Sequence, residues 1–467
     1  VRYALVVLIT LALCVLSPMN PSIGLAGYYW FALMRPDILA WSGPNNLSFF
    51  IAVSTLVSSI SRVIRNMSVL ARSWICGMFL LYLVIISLSA VFAVQPSLCV
   101  ESLQLFARIA IMALLIPLSI TTRAELTMLV SVMALSIGFL GSKFGLGGLI
   151  AGGARFAQGY GGMLSDNNTL ALALAVAVPL CWFARLLVPW KFVRAGMALS
   201  ALLCAAGVVF THSRGGALAV GVGFLVMAWR SKRRLLAGLV MVLFVGVAAY
   251  MVRDSYMDRM STMLDPTDEA SANSRILLAQ AALKMSMDYP LFGVGFTEKN
   301  EQELITRYLP AELAEPYARK VIHNTYLQIL VDSGVFALLL YVGMMVGTIV
   351  ALERSVRRQK VVSPEAAAIP QAIQVALISY MVGAAFLSRT TFDFYYIFLM
   401  TAAAWLDIER REMLEAPLPA PVTAQPEELV VVSVAADALT PPPPPVPSGP
   451  RTARERRAML NRWREKP

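Results

Sequence analysis

Only two histidines occur in the 467 residues, His212 and His323. His323 stands in Val321-Ile322-His323-Asn324-Thr325-Tyr326-Leu327, where a polar segment gives way to an apolar run behind helix-start signals. An imidazole titrates near neutrality and can take the proton of a hydroxyl nucleophile. At a polar–apolar boundary it would meet both a lipid-borne and an aqueous substrate. The competing reading is an interfacial histidine that merely caps the helix, and spacing alone does not separate the two. His212 opens His212-Ser213-Arg214-Gly215-Gly216 between two apolar runs and weighs toward a structural role. Arg214, with small neighbours at a helix start, suits a phosphate clamp, because guanidinium grips phosphate oxygens in a fork and backbone N–H groups assist. Its bland alternative is an arginine snorkelling at the end of a span.

Further candidates lie in the polar stretches. Ser271-Ala272-Asn273-Ser274-Arg275 precedes a helical pattern (Ile276, Leu277, Ala279, Ala282, Leu283, Met285), so Arg275 is expected at a helix start that could bind an anion. Gly293-Val294-Gly295 follows no strand and is too short for a nucleotide loop. Gly152-Gly153-Ala154-Arg155-Phe156 and Asp166-Asn167-Asn168 offer polar contacts to a sugar or phosphate, through Arg155, Asp166 and Asn167. Equally, Asp166 or Asn167 is an ordinary helix cap. The two histidines are far apart in sequence and have no ligand cluster beside them, so no metal site is expected. No Walker loop is present, and ATP is not expected to act directly.

The elements that must carry these groups follow from composition. Hydrophobic residues make up 58% and charged residues 14%, against nearly a quarter charged in soluble domains, and mean hydropathy is +0.68. Apolar runs recur at 1–16, 23–34, 48–60, 74–94, 103–120, 126–140, 169–188, 196–210, 215–229, 235–252, 325–352, 368–387 and 392–406. The fold class expected is an all-α polytopic membrane protein with about 12 transmembrane helices, since a span takes roughly 20 apolar residues. The first two runs are short enough to form one re-entrant hairpin. Basic linkers (62–72, 123, 185–194, 230–234, 354–360) alternate with linkers poor in positive charge (95–100, 141–168, 211–214, 253–322, 388–393). That alternation places the basic linkers and the C-terminal tail in the cytoplasm and the large 253–322 loop outside, the periplasm of a didermal bacterium. His212 and His323 then share the outer side.

The net charge of +11 is spread over linkers and tail in this way, so no nucleic-acid partner is expected. Cys14, Cys76, Cys99, Cys181 and Cys204 lie in or beside apolar runs without C-x-x-C spacing, as small buried hydrophobes. The first run lacks a small-x-small cleavage site and reads as a retained segment. Residues 411–450 form a proline-rich linker with the run Pro441–Pro445, and 451–467 a basic tail, either solvated or resting on anionic lipid headgroups.

These motifs together resemble the bacterial O-antigen ligase and polymerase superfamily. The ligase pattern is similar at Ser213-Arg214-Gly215, at Arg275 followed by Pro290-Leu291-Phe292-Gly293-Val294-Gly295, and at His323-Asn324-Thr325-Tyr326 through Leu330 to Gly334. A closer likeness, to the O-glycosylation ligases found alongside exosortase A systems, extends over 1–190. It rests on Asn20-Pro21, Gly152-Gly153, Asp166-Asn167-Asn168 with Leu170-Ala171-Leu172, and it takes in Arg259-Met260-Ser261-Thr262 before Ser271-Ala272. The resemblance covers about 1–410, with the ligase core at 195–406, and implies transfer of a glycan from an undecaprenyl-pyrophosphate carrier to an acceptor hydroxyl. By that likeness His323 activates the acceptor, Arg214 and Arg275 bind the pyrophosphate, Arg155, Asp166, Asn167 and Asn324 contact donor or acceptor, and no cofactor is needed. The acceptor stays open among glycolipid, polysaccharide and protein, so a polymerase or protein oligosaccharyltransferase stands beside the ligase. A lipid-linked glycan flippase is the reading from another class. It would place charges at mid-membrane in broken helices, whereas most charges here sit at span ends, with Arg108 the clearest exception.

Overall fold

The computed structural model describes residues 2–40, 46–152, 156, 159–231, 266–312, 317 and 320–415, with isolated positions between 234 and 246. Outside them lie Gly153, Ala154 and Arg155, most of the expected span at 235–252, Arg259-Met260-Ser261-Thr262, and the proline-rich and basic tail beyond 415. The regular elements among the described residues are all helices, without a strand. The helices are α1 (Arg2–Leu16), α2 (Pro21–Met34), α3 (Leu47–Asn66), α4 (Trp74–Val91), α5 (Pro96–Ser119), α6 (Arg123–Ile150) and α7 (Asn167–Ala184). They continue with α8 (Lys191–Phe210), α9 (Arg214–Arg230), α10 (Pro266–Asp288), α11 (Glu298–Leu304), α12 (Thr325–Val362), α13 (Ala368–Gly383) and α14 (Asp393–Glu415).

Eight of the described helical segments are long and apolar enough to cross a membrane, fewer than the apolar runs suggested. The difference lies in four short or charge-bearing elements and in the 235–252 run, most of which is outside the described residues. α1 and α2 are separate helices of 15 and 14 residues, α9 has 17, and α14 carries Asp407-Ile408-Glu409-Arg410-Arg411-Glu412 in its last turns. Arg108 sits midway along α5 and faces outward, not into a central passage. α6 runs to Ile150 where a linker from 141 was expected. Its glycines let α8 come close. A β-carbon on Gly141 would lie 2.1 Å from Cys204 Sγ, and one on Gly145 2.1 Å from Leu203 O. Such small-residue faces replace the hydrophobic drive that is missing between helices in lipid.

α7 is the axis of the bundle. Every residue from Thr169 to Cys181 is buried, as befits a helix apolar on all sides, and α6, α8, α9 and α13 surround it. A second centre is aromatic: Tyr82, Phe106, Tyr341, Tyr395 and Tyr396 pack ring to ring, and Tyr395 Oη donates to Tyr341 O at 2.7 Å.

α12 has 38 residues, about 57 Å at 1.5 Å per residue, well beyond a hydrocarbon core of about 30 Å. The excess is absorbed at Gly334, where φ 82° and ψ −179° break the helix. The turn Pro290–Gly295 fills the break. Val294 N donates to Val331 O (2.8 Å), Gly295 N to Asp332 O (3.0 Å), and Val335 N to Pro290 O (2.9 Å). The two glycine motifs of the sequence are therefore one structural joint. A β-carbon on Gly334 would sit 2.1 Å from Leu291 O, and one on Gly293 2.3 Å from Val331 O. Gly334 also occupies a region that is essentially glycine-only, at about 1–3 kcal/mol for other residues. Gly334→Ala should therefore lower thermal stability in detergent by at least that amount. An unchanged melting temperature would mean that the break does not hold α12 in place.

Ion pairs crowd the end of the bundle that carries the basic linkers. Arg62 meets Glu125 at 2.7 Å, Arg123 meets Glu412 at 2.6 Å, Arg358 meets Glu409 at 2.7 Å, and Arg230 pairs with Glu353. Arg62 also donates to Ser22 Oγ and Ser119 O, tying α2, α3, α5 and α6 together.

Candidate active site

At the opposite end three helix starts come together, each closed by a short polar side chain. Asp166 caps α7, its carboxylate accepting from Thr169 N (2.9 Å) and Thr169 Oγ1 (3.1 Å). Ser213 caps α9, accepting from Gly216 N at 3.3 Å while donating to Asn168 Oδ1 at 2.8 Å. Asn324 caps α12, its Oδ1 accepting from Tyr326 N (3.0 Å) and Leu327 N (3.2 Å). Side-chain oxygens at such positions satisfy N–H groups that the helix leaves open.

Close backbone approach locks the three starts in place. A β-carbon on Gly216 would lie 2.6 Å from Ala171 Cβ of α7, and one on Gly215 2.5 Å from Phe386 Cβ. Just beyond Phe386, the 387–389 segment holds the start of α12. Asn324 N donates to Ser388 Oγ at 3.3 Å, Thr325 Oγ1 donates to Leu387 O, and Arg389 N donates to Thr325 Oγ1 at 3.3 Å. The glycines after Arg214 thus serve packing, and the 384–389 corner joins α9 to the His323 turn.

Both histidines stand one residue before a capping residue, and both have left-handed backbone, φ 56° at His212 and φ 55° at His323. With Arg35 they are the only non-glycine positive-φ residues among those described. Such conformations gather at functional sites, although histidine tolerates them better than most residues. His323 does not cap α12, because Asn324 does, so the bland reading of His323 as a cap is set aside.

His323 is half-buried. Burial first, and then the positive charge of Arg275, push its pKa below the ordinary 6.5, against the opposing pull of Asp166. The imidazole is therefore neutral at physiological pH and able to accept a proton. These interactions also bring Arg275 and Asp166 into the neighbourhood of His323, from α10 and α7. The rate should fall as pH drops through the lowered value. Arg275→Gln removes a cation and should move that acid limb to higher pH. Asp166→Asn keeps a capping oxygen, removes the anion and should move the limb to lower pH. Profiles of kcat/KM against pH for the three proteins check this, and two unmoved limbs would assign the titration to another group.

The remaining predicted residues divide. Arg214 is the first residue of α9 and exposed. Arg275 is exposed but lies well inside α10, which already begins at Pro266, so the expected helix-start anion site at Arg275 is not formed. Asn167 uses its amide on Phe156 O, a loop-holding contact, and Asn324 Oδ1 is committed to its cap. Arg155 lies outside the described residues. Among the described residues no three His, Cys, Asp or Glu side chains are arranged to hold a metal ion.

Sequence reading missed two features. One is the Ser388–Arg389 turn, which became visible only once the chain had folded back on Thr325. The other is a buried acid group beneath the Pro290–Gly295 turn, where Gln328 Nε2 donates to Glu301 and, at 2.9 Å, to Asp332 Oδ1. Burial, with Glu298 adding to it, pushes Glu301 up to about 8, so it is largely protonated at pH 7. A carboxylate whose partners Gln328 and Asp332 stand twenty-seven and thirty-one positions further along the chain gave no local signal.

Residues 199–342 match the model of the O-antigen ligase family, and residues 2–187 match that of a family of unknown function, DUF5935. Arg214, Arg275 and His323 fall within the first segment and Asp166 within the second. No curated protein matches the chain. The first match supports placement in the O-antigen ligase superfamily and O-antigen ligase-type function in general.

Proposed function

We propose that this chain is a membrane glycan ligase that moves a glycan from undecaprenyl pyrophosphate to an acceptor hydroxyl. The observation that carries the reading is a half-buried, neutral His323 within electrostatic reach of Arg275 and Asp166, at the end of the bundle where Arg214 opens α9. In the transfer, the acceptor oxygen bonds to the anomeric carbon as the bond from that carbon to phosphate oxygen breaks. His323 takes the hydroxyl proton, and the diphosphate leaves on its lipid. Arg214 and Arg275 face the charge that builds on the departing group, where preorganised cations lower the barrier most.

The sugar arrives already activated by its diphosphate, so the reaction needs neither metal nor nucleotide. Charge alternation along the chain supports a bacterial plasma-membrane location, with this site on the periplasmic face and the tail in the cytoplasm. The acceptor is a hydroxyl of a glycolipid, a polysaccharide or a protein. The motifs in 1–190 support the exosortase-associated kind within the superfamily. A flippase reading would draw on the break in α12, but backbone of the 290–295 turn fills that break.

Proteoliposomes given an undecaprenyl-diphosphate glycan and candidate acceptors test the proposal. Transfer should occur with chelator present, and not from a nucleotide sugar or a monophosphate-linked glycan. Translocation of the lipid-linked glycan without transfer would sink the ligase reading in favour of a flippase.

A further inference from the structure

Arg389 belongs to neither matched segment, yet the fold delivers it to the His323 site. Its backbone N–H donates to Thr325 Oγ1 at 3.3 Å, and its neighbour Ser388 accepts from Asn324 N at 3.3 Å. Asn324 adjoins His323 directly, and Thr325 is the next residue. The side chain is half-buried, and among the described residues its guanidinium makes no hydrogen bond or ion pair. At the other end of the bundle, the partly buried Arg62, Arg123 and Arg230 each grip a carboxylate. The acid that feels Arg389 is Glu298, itself partly buried and pushed up in pKa chiefly by that burial, with Arg389 opposing. A guanidinium drawn out of water without a bonded anion is costly, and that cost is offset if an anion arrives with the substrate.

We infer that Arg389 is a third anion-binding guanidinium of this site, which contacts the diphosphate of the lipid-linked donor alongside Arg214 and Arg275. The inference rests on the ligase reading for the identity of the anion. It adds a contact that joins the ligand to the 387–389 corner, so that diphosphate binding and the placement of His323 draw on the same hydrogen-bonded segment. Three cations around two phosphates favour a diphosphate over a monophosphate, because the second phosphate brings charge and oxygens that a monophosphate lacks.

The test uses the full chain in detergent and a short prenyl diphosphate as probe, with the matching prenyl monophosphate beside it. Arg389→Gln should weaken diphosphate binding by about 10- to 100-fold, the usual span for a hydrogen bond to a charged group. Its preference for diphosphate over monophosphate should narrow, and Arg389→Lys should fall between it and the wild type. If Arg389 serves only to balance Glu298, the double variant Glu298→Gln/Arg389→Gln recovers full binding, and the inference is overturned. Equal binding by wild type and Arg389→Gln overturns it too while leaving the ligase reading intact. A wild type that ignores prenyl diphosphate removes the ligase reading and this inference together. Should Arg389→Gln alone fail to fold, the lysine and double variants decide the same question.

Discussion

His323→Ala should lower glycan transfer by about 10²- to 10⁴-fold, the contribution expected of a positioned general base, at unchanged protein level. The alanine result alone is not decisive, because φ at position 323 is 55° and alanine strains such a backbone. Asparagine separates the two effects. It accepts left-handed backbone readily but offers no imidazole to take a proton. If His323 works as the base, His323→Asn loses transfer as completely as His323→Ala while its melting temperature in detergent stays near wild type. If position 323 matters only as a turn before the Asn324 cap, His323→Asn keeps most of the activity, and His323 leaves the mechanism. Glycine makes the same comparison from the other side, since it relaxes the turn and removes the ring.

How far the site was legible in sequence varies from residue to residue, for physical reasons. Local signals carried what is local. The cap expected at Asp166 or Asn167 is Asp166, whereas α12 is capped by Asn324 and not by His323, and the cap of α9 is Ser213. Apolar periodicity likewise placed most of the helices. It misjudged the end of α6, because its glycines read as a loop, while in lipid Gly141, Gly145 and Gly148 are the contact face with α8. It also misplaced the start of α10, whose first turns, Pro266-Thr267-Asp268-Glu269-Ala270, carry no apolar stripe to announce a helix. Gly293 and Gly334 were visible as motif positions. That each exists to admit the backbone of the other could be learned only from their contact across forty-one residues of chain. Arg389 was illegible for the same reason, since nothing near it in sequence says that it meets Thr325.

The charge pattern makes sense of the site's position. Carboxylates at the basic-linker end are spent on arginines. Near His323 they are not. Asp166 is occupied in capping α7, Glu301 is largely protonated at pH 7, and Glu298 is shifted upward by burial. Lys299 pairs with Glu101 and Arg35 with Asp37 at that end, but among the described residues Arg214, Arg275 and Arg389 have no carboxylate within ion-pair distance. Positive charge therefore stays uncompensated where an anionic donor would dock.

Arg214→Gln and Arg275→Gln should each cost about 10²- to 10³-fold in kcat, by analogy with loss of one donor to a developing anion. Arg214 is the sharper case. It occupies the first position of α9, beside the positive end of the helix dipole, where a cation is unfavourable by about 0.3–1 kcal/mol. No described acid answers it, and glutamine there would be the more comfortable resident. A residue that opposes its own helix is explained if a diphosphate seats on the same helix start and receives both the guanidinium and the open N–H groups. Arg214→Gln should then raise stability slightly while removing transfer, a combination that loss of a structural residue does not produce. Lysine at 214 keeps the charge but loses the fork and should recover only part of the rate. If both arginines grip one diphosphate, the double variant should lose less than the sum of the two single losses by more than about 0.5 kcal/mol, the margin within which independent sites add. Simple addition of the two losses would place the arginines on separate ligands, and an Arg214→Gln protein that transfers at the wild-type rate would remove that residue from the diphosphate site.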